Sequence, residues 1–425
     1  MWISPVLDAS GTYHKIDKRL LYQLGQGLYI SGNYQNFGFE VSGEIIEQSF
    51  PASADFAVDS LKLVPGFNRV LLGNHQSAVN LALNGIAYWK LIPFVTLSVG
   101  NNKQFWGDGY RSLLLSENAA SYPFIQAKMQ VWKIEYEHQV MFLKDLIPGE
   151  GSQRFNKYTS MHLLSCNVSR WLNFYIFEAV VWQQKDSIRH RGFDVQYLNP
   201  AIFFRSVEYN MGSPDNMLMG IGGKIKLWDH THFYGQFLLD EFNLKAIVKN
   251  WGWWGNKHGL QAGIKIYGAS QKRPKLLQIE YNLVRPYTYS HTYSPENYGY
   301  LNEPLAHPDG ANFEEFLAIY RAALTTQWMV HLSISTLFYG TDPAGLNYGG
   351  DIYKNNYTFI SSYGNHIGQG IPTYDFNQAV VLSRILMPSW RLRAGLTITN
   401  TIRRTEGKTR YLPSIQLGIN TLLYE

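Results

Sequence analysis

Three short stretches of the chain gather ring, amide, carboxylate and guanidinium groups at close spacing. They are Trp106, Asp108, Tyr110 and Arg111; Trp251, Trp253, Trp254 and Asn256; and Arg285, Tyr287, Tyr289 and His291. Aromatic faces stack on sugar rings, and planar polar groups pair with sugar hydroxyls, so these mixtures suit glycan binding. The same residues also suit folding loops onto one another, with Gly107 and Gly109 allowing tight turns and Arg111 or Arg205 paired to a carboxylate. Catalytic constellations are weaker. Asp240 and Glu241 are adjacent and point to opposite faces of a strand, so they cannot flank one glycosidic bond unless Asp240 meets Glu280 or Asp215. Ser290 and His291 face apart for the same reason if they lie on a strand. His230 and His232, beside Asp229, share a side but lack a third ligand of suitable spacing. The residues therefore imply binding without catalysis, cofactor or metal.

The 425 residues include 64 aromatics, the sum of 12 Trp, 29 Tyr and 23 Phe, against 16% charged residues. With 45% hydrophobic content the chain buries a substantial core and is not disordered. A net charge of +5 with scattered Lys and Arg excludes a nucleic-acid groove, and it favours acidic glycans or lipopolysaccharide phosphates as partners. The single Cys166 excludes an intramolecular disulfide. No apolar run approaches a membrane helix; the most apolar stretch, Asn173 to Trp182, is interrupted by Glu178. Met1 to Pro5 does not read as a secretory signal, which is expected of a cytoplasmic chain or of a mature or trimmed one.

The recurring pattern is apolar and polar alternation, the period of strands. Phe37, Phe39, Val41 and Ile45 oppose Glu40, Ser42 and Glu44, and Ile415, Leu417 and Ile419 oppose Ser414, Gln416 and Asn420. A soluble sandwich shows the same alternation, so the turns must discriminate. Short connections (KLIP, VWK, SRWL, WDHT, SQKRP, TTQW, MPSW) alternate with long ones, at about 48–78, 103–123, 143–157, 184–216, 243–257, 287–313 and 340–376. Trp89, Trp132, Trp171, Trp228, Trp328 and Trp390 sit at or beside the short turns, as in a membrane-interface girdle. Two strands around each of these seven short turns, a hairpin over residues 22–47, a first strand near Trp2 to Asp8 and a last one from about Tyr411 give eighteen. This predicts an all-β, antiparallel transmembrane outer-membrane β-barrel, one domain over residues 1–425, with long extracellular loops folding over the mouth. The alternation turns Glu40, Glu44, Lys128, Lys224, Lys226, Lys265, Glu280, Arg391 and Arg393 toward a polar lumen.

Six segments stand out from this background: Trp106 to Ala120 (WGDGYRSLLLSENAA), Asn199 to Asn210 (NPAIFFRSVEYN), Gly235 to Phe242 (GQFLLDEF), Trp251 to Lys257 (WGWWGNK), Glu280 to His291 (EYNLVRPYTYSH) and Leu301 to Phe313 (LNEPLAHPDGANF). The chain resembles the Wzi-type capsule-assembly outer-membrane proteins, and their RemB-like branch associated with gliding motility, over about residues 95 to 315. The resemblance implies an eighteen-stranded barrel in the outer membrane of a Gram-negative bacterium, closed outside by loops, that holds surface polysaccharide without catalysis. The periplasmic helical region expected near the N-terminus of the Wzi branch is not visible in the sequence. Two other functions stay open: a passive channel for small solutes, and an accessory subunit of a gliding or secretion machine that binds motility or secretion proteins.

Overall fold

The computed structural model describes residues 1–15, 18–51, 61–67, 70–73, 77–146, 154–185, 192–200, 215–241, 252–270 and 272–421, the side chain of residue 241 excepted. The strands are β1 Trp2–His14, β2 Arg19–Tyr34, β3 Phe37–Ser49, β4 Val70–Gly73, β5 Ser77–Ile92, β6 Val95–Asn102 and β7 Tyr122–Val131. They continue as β8 Ile134–Leu146, β9 Arg154–Cys166, β10 Leu172–Gln183, β11 Asn216–Leu227, β12 Thr231–Glu241, β13 Lys257–Tyr267 and β14 Lys275–Val284. The last are β15 Gly299–Tyr300, β16 Glu303–Pro304, β17 Phe313–Ala323, β18 Trp328–Thr341, β19 Ile371–Met387, β20 Leu392–Thr405 and β21 Lys408–Thr421. Of the 21, β4, β15 and β16 are short pieces within loops, and the other eighteen pair antiparallel in chain order. β1 closes the ring on β21, Asp8 opposite Asn420 and His14 opposite Ser414. The first strand is longer than the sequence suggests: all 13 residues of β1 pair with β2, Trp2 opposite Ser31.

Each strand keeps one face apolar because successive side chains alternate across the pleat. Leu7, Leu24, Val41, Leu83, Ile221, Ile334 and Leu417 are exposed on the outer wall, where membrane hydrocarbon, not water, is their natural solvent. Inward positions carry Ser4, Ser42, Asn80, Gln139, Gln236, Gln278 and Asn282, all buried. No helix among the described residues is long and apolar enough to cross a membrane.

β1 begins and β21 ends at the short-turn end. Trp132 and Trp228 reverse the chain there with φ of 54°, and the six tryptophans beside these turns are all exposed. Lys133 Nζ lies 5.0 Å from the Trp132 ring, and the Arg384 guanidinium lies 5.6 Å from that of Trp328. Such pairs suit a headgroup layer, in which the ring is anchored at the interface and the cation reaches toward phosphate. At the opposite end two connections are also short, β1 to β2 and the Glu406–Gly407 turn between β20 and β21; the other seven are the long loops. The strands run further into several of these loops than alternation suggests, β8 to Leu146 and β19 from Ile371. Backbone pairing continues past the point where membrane burial dictates residue type.

Candidate functional site

The barrel wall leaves a lumen whose outer half is filled by two of its own loops, residues 103–121 and 285–312. In the first, Leu113, Leu114, Leu115, Ala119 and Ala120 are sealed off completely or nearly so. They join Tyr122, Phe177, Leu218, Tyr289, Tyr298 and Leu305 in one apolar cluster inside the barrel. The two loops grip each other by hydrogen bonds: Tyr289 donates to the Leu113 carbonyl at 2.8 Å, Tyr298 to the Leu114 carbonyl at 2.7 Å, and Ser116 Oγ to the Ala306 carbonyl. Burial drives the Tyr289 and Tyr298 phenols well above their ordinary range, so both stay protonated donors.

Inward polar residues of the wall hold this plug. Glu280 accepts from the Tyr110 and Arg111 amides at 2.7 and 3.1 Å and from the Tyr234 hydroxyl at 2.7 Å. Gln236 accepts from the Leu113 amide at 2.8 Å and donates to the Trp106 carbonyl at 3.3 Å. Gly107 adopts φ of 143°, and a Cβ there would collide with Gln236, so only glycine lets the loop pass. On the far side, buried Lys157 bonds to Asp145 Oδ2 at 2.8 Å and to the Asn297 side-chain and main-chain oxygens at 2.9 and 3.0 Å, tying loop 285–312 to β8 and β9. Lys257 donates to the Ser290 carbonyl at 2.9 Å.

Seen in place, the first sequence cluster lies apart from the other two. Trp106 is buried against Phe177, their rings 6.1 Å apart, while Asp108 pairs with Lys224 at 2.8 Å. Tyr110 is exposed within the lumen, between the Arg111 and Arg321 guanidinium groups at 5.2 and 5.7 Å. Trp251 lies outside the described residues, as do residues 201–210 of the NPAIFFRSVEYN segment. Trp253 is half-buried, and Trp254 is buried by stacking on Phe359 at 4.7 Å. Arg285 Nε donates to the carbonyl of Asn256 at 2.9 Å, and Trp254 meets Tyr287 edge-on at 6.1 Å. Tyr287 is buried, and His291 lies 3.1 Å from Glu296. The second and third clusters thus meet in the outer cap, mostly as its packing. Ser290 and His291 lie in a loop and not on a strand, and Ser290 Oγ donates to the Tyr287 carbonyl at 2.5 Å.

The other candidates also find local partners. Asp240 accepts from the Tyr289 amide at 2.6 Å and lies 4.0 Å from Lys257, while its two possible partners are engaged as well, Asp215 by Tyr197 at 2.5 Å and Glu280 by the plug amides. Asp229 and His230 sit in an exposed turn, and His232 packs against Tyr267 at 5.1 Å. Of the lumen charges, Lys128 pairs with Glu135 and Glu137 at 3.0 and 2.7 Å, and Lys265 lies over the Tyr234 ring at 5.5 Å. Glu40, Glu44, Lys226 and Arg393 lie on strands with their inward-facing neighbours. Arg391 departs from its expected place: it caps the Pro388–Trp390 turn with φ of 52° and lies 5.8 Å from the Trp2 ring, because the chain reverses there instead of continuing as strand.

Sequence reasoning counted residues 340–376 among the long loops but placed no site residue in this loop. Tyr357, Tyr363 and His366 are exposed on it. A groove of about 400 Å³ runs between Phe338, Tyr348, Tyr363, Asn365, His366 and Gln369. The loop is clamped to its neighbours: the Trp254 amide donates to the Ser362 carbonyl at 3.0 Å, and Arg285 Nη2 to the Asn365 carbonyl at 3.2 Å. The same ring-plus-amide rule that singled out the other loops applies to its YGNHIGQG stretch. A further group, His307, Asp309 and Glu315, has its ligand atoms within 4.8 Å of one another. His307 lies 3.4 Å from Asp309 and 3.1 Å from Glu315, and Asn282 donates to Glu315 at 3.1 Å, so these charges and dipoles already satisfy one another. Burial raises the Asp309 carboxyl above its usual range.

Fold and closure define an outer-membrane β-barrel with an internally packed outer mouth. Its shape matches Wzi of Escherichia coli, described as an outer membrane protein involved in group 1 capsule assembly and a carbohydrate-binding β-barrel, with a TM-score of 0.63 at 13% identity, over 98% of this chain and 84% of that one. OprD of Pseudomonas aeruginosa matches with a TM-score of 0.51 at 9% identity over 98% and 94% of the two chains. OccAB4 of Acinetobacter baumannii matches with a TM-score of 0.52 at 8% identity over 99% and 97%. These likenesses support a Wzi-like fold and do not reach the gliding-associated branch. No family model matches the chain, and no curated protein matches it significantly.

Proposed function

We propose that this barrel sits in the outer membrane of a Gram-negative bacterium and binds surface polysaccharide without catalysis, holding it at the cell surface. The observation that carries this is the outer cap: its interior is packed solid, while Tyr357, Tyr363 and His366 stand exposed beside a groove lined with amides. Exposed rings backed by rigid packing bind sugars at low entropic cost. Trp253 extends the ring surface from the neighbouring loop. Arg285, Tyr287, Trp254 and Asn256 support it from behind, and lipopolysaccharide surrounds the rim. Carbohydrate binding by the similarly folded Wzi agrees with this reading, and the filled outer half of the lumen favours it over a passive channel.

The test is calorimetric titration of the detergent-purified barrel with capsular or surface polysaccharide from its own host. Saturable binding weakened about ten-fold by Tyr363→Ala is expected, the loss of one stacked ring. Absence of binding at millimolar repeat-unit concentration would reject the proposal for that glycan. Stable co-purifying motility or secretion proteins in its place would favour a machine subunit.

A further inference from the structure

The inner half of the lumen is not filled like the outer. Between β1, β2 and β17–β21 lies a cavity of about 570 Å³, within the size range of small-molecule sites. Its existence follows from residue size. Where β19, β20, β21 and β1 come together, the inward positions in register are Ser383, Gly395, Gly418 and Ser10, which barely project from the wall. Larger polar groups frame this floor: Gln23, Gln416 and Asn420 toward β1 and β2, and Arg321 and His331, directly opposite each other in register, on β17 and β18. Arg393 completes the frame, opposite Asn420.

The two sides differ in charge. On one side Gln23 Nε2 donates to Asp8 Oδ2 at 2.6 Å, presenting a carboxylate–amide pair. On the other, Arg321 has no carboxylate within ion-pair distance among the described residues, and its guanidinium lies 5.7 Å from the Tyr110 ring. The nearby acids are committed elsewhere, Asp108 to Lys224 and Glu280 to the plug backbone. A guanidinium facing a walled cavity attracts an anion more strongly than one in open water, and its planar fork fits a carboxylate best. Beside it, amides, hydroxyls and one carboxylate suit neutral hydroxyl groups.

We propose that this inner cavity is a second binding site, for an acidic saccharide whose carboxylate is held by Arg321 and whose hydroxyls meet Asp8, Gln23, Gln416 and Asn420. The site lies at the opposite end of the lumen from the outer cap and does not depend on the cap binding glycan. The Tyr110 ring of the plug lies 5.7 Å from the Arg321 guanidinium, so an anion held by Arg321 sits close to the loop that closes the outer half.

The experiment titrates the whole detergent-purified barrel with a uronic-acid trisaccharide, a neutral glucose trisaccharide and inorganic phosphate. Expected is saturable binding of the uronate and none of the neutral sugar, weakened about ten-fold or more by Arg321→Gln, as loss of a charged hydrogen bond implies. Gly395→Leu should abolish it by filling the cavity: a Cβ there has only the Leu382 carbonyl oxygen, 3.9 Å away, as its nearest neighbour, so the variant can fold. Heat-modifiable electrophoretic mobility confirms folding of each variant. The proposal is overturned if the uronate fails to bind, if neutral sugar binds equally, or if folded Gly395→Leu binds as well as the parent. Phosphate binding as tight as the uronate would overturn the saccharide assignment and leave a plain anion site.

Discussion

The outer and inner halves of this lumen are built on the same strands, with the same alternation, yet one is a packed interior and the other a walled cavity. Outside, loops 103–121 and 285–312 enter the barrel with Leu113, Leu114, Leu115, Tyr289 and Tyr298, and every one of these is buried. Inside, the wall presents Ser10, Ser383, Gly395 and Gly418 to a cavity, and Tyr110 of the plug lies beside Arg321 at its edge. The wall does not decide what fills a barrel; the loops do. A strand needs polar residues facing inward whether they meet water or a loop, so Glu280 and Gln236 look like ordinary lumen residues until the plug amides arrive to use them.

Perturbations should therefore separate by depth. The largest effect is expected of Lys157→Met, which leaves the buried Asp145 carboxylate without its cation and removes two bonds to Asn297: removing one partner of a buried pair costs about 3 to 5 kcal/mol. Hydrogen exchange should show that cost as opening of residues 285–312, with the wall strands unchanged. Leu114→Ala should follow at about 2 to 5 kcal/mol, the usual cost of a fully enclosed leucine, and should likewise loosen the plug alone. If either variant instead lowers the melting of the whole barrel by the same amount, plug and wall form one cooperative unit and the two halves are not separable.

A pH effect comes next. Burial raises the Glu303 carboxyl to about 7, against an acceptor bond from the Gly66 amide that lowers it. Because the folded value lies above the unfolded one, its contribution is fully present below about pH 4.5 and is lost as pH rises through 7. The cap should resist protease better at pH 6 than at pH 8, and Glu303→Gln should flatten that difference. The smallest effect, within about 0.5 kcal/mol, is expected of Ser383→Ala in the inner cavity, where no packing is lost. A large effect there would mean that the cavity wall is under packing constraints like those of the outer half.

The wall was legible in the sequence because its rule is local. Phe37, Val41 and Ile45 on one face and Ser42 and Glu44 on the other repeat every second residue, and exposed tryptophans mark most of the short turns. The first strand, faint by alternation beyond Asp8, is fixed by partners at both ends of the chain, since β1 pairs with β2 and β21. The candidate site was legible only as composition. Trp254 stacks on Phe359, and Arg285 reaches the Asn365 carbonyl, across loops far apart in sequence, and no periodicity announces such docking. Hence Tyr287 and Tyr289, which have the residue type of a sugar surface, are buried, while Tyr357 and Tyr363 hold the exposed place.

Ion conductance of the purified barrel in a planar lipid bilayer tests the central claim, that packed loops close the outer half. The account predicts no sustained current for the intact chain and a steady open level once residues 106–115 are deleted, provided the deletion variant still shows heat-modifiable folding. Sustained current through the intact chain, or none through the folded deletion variant, would contradict it.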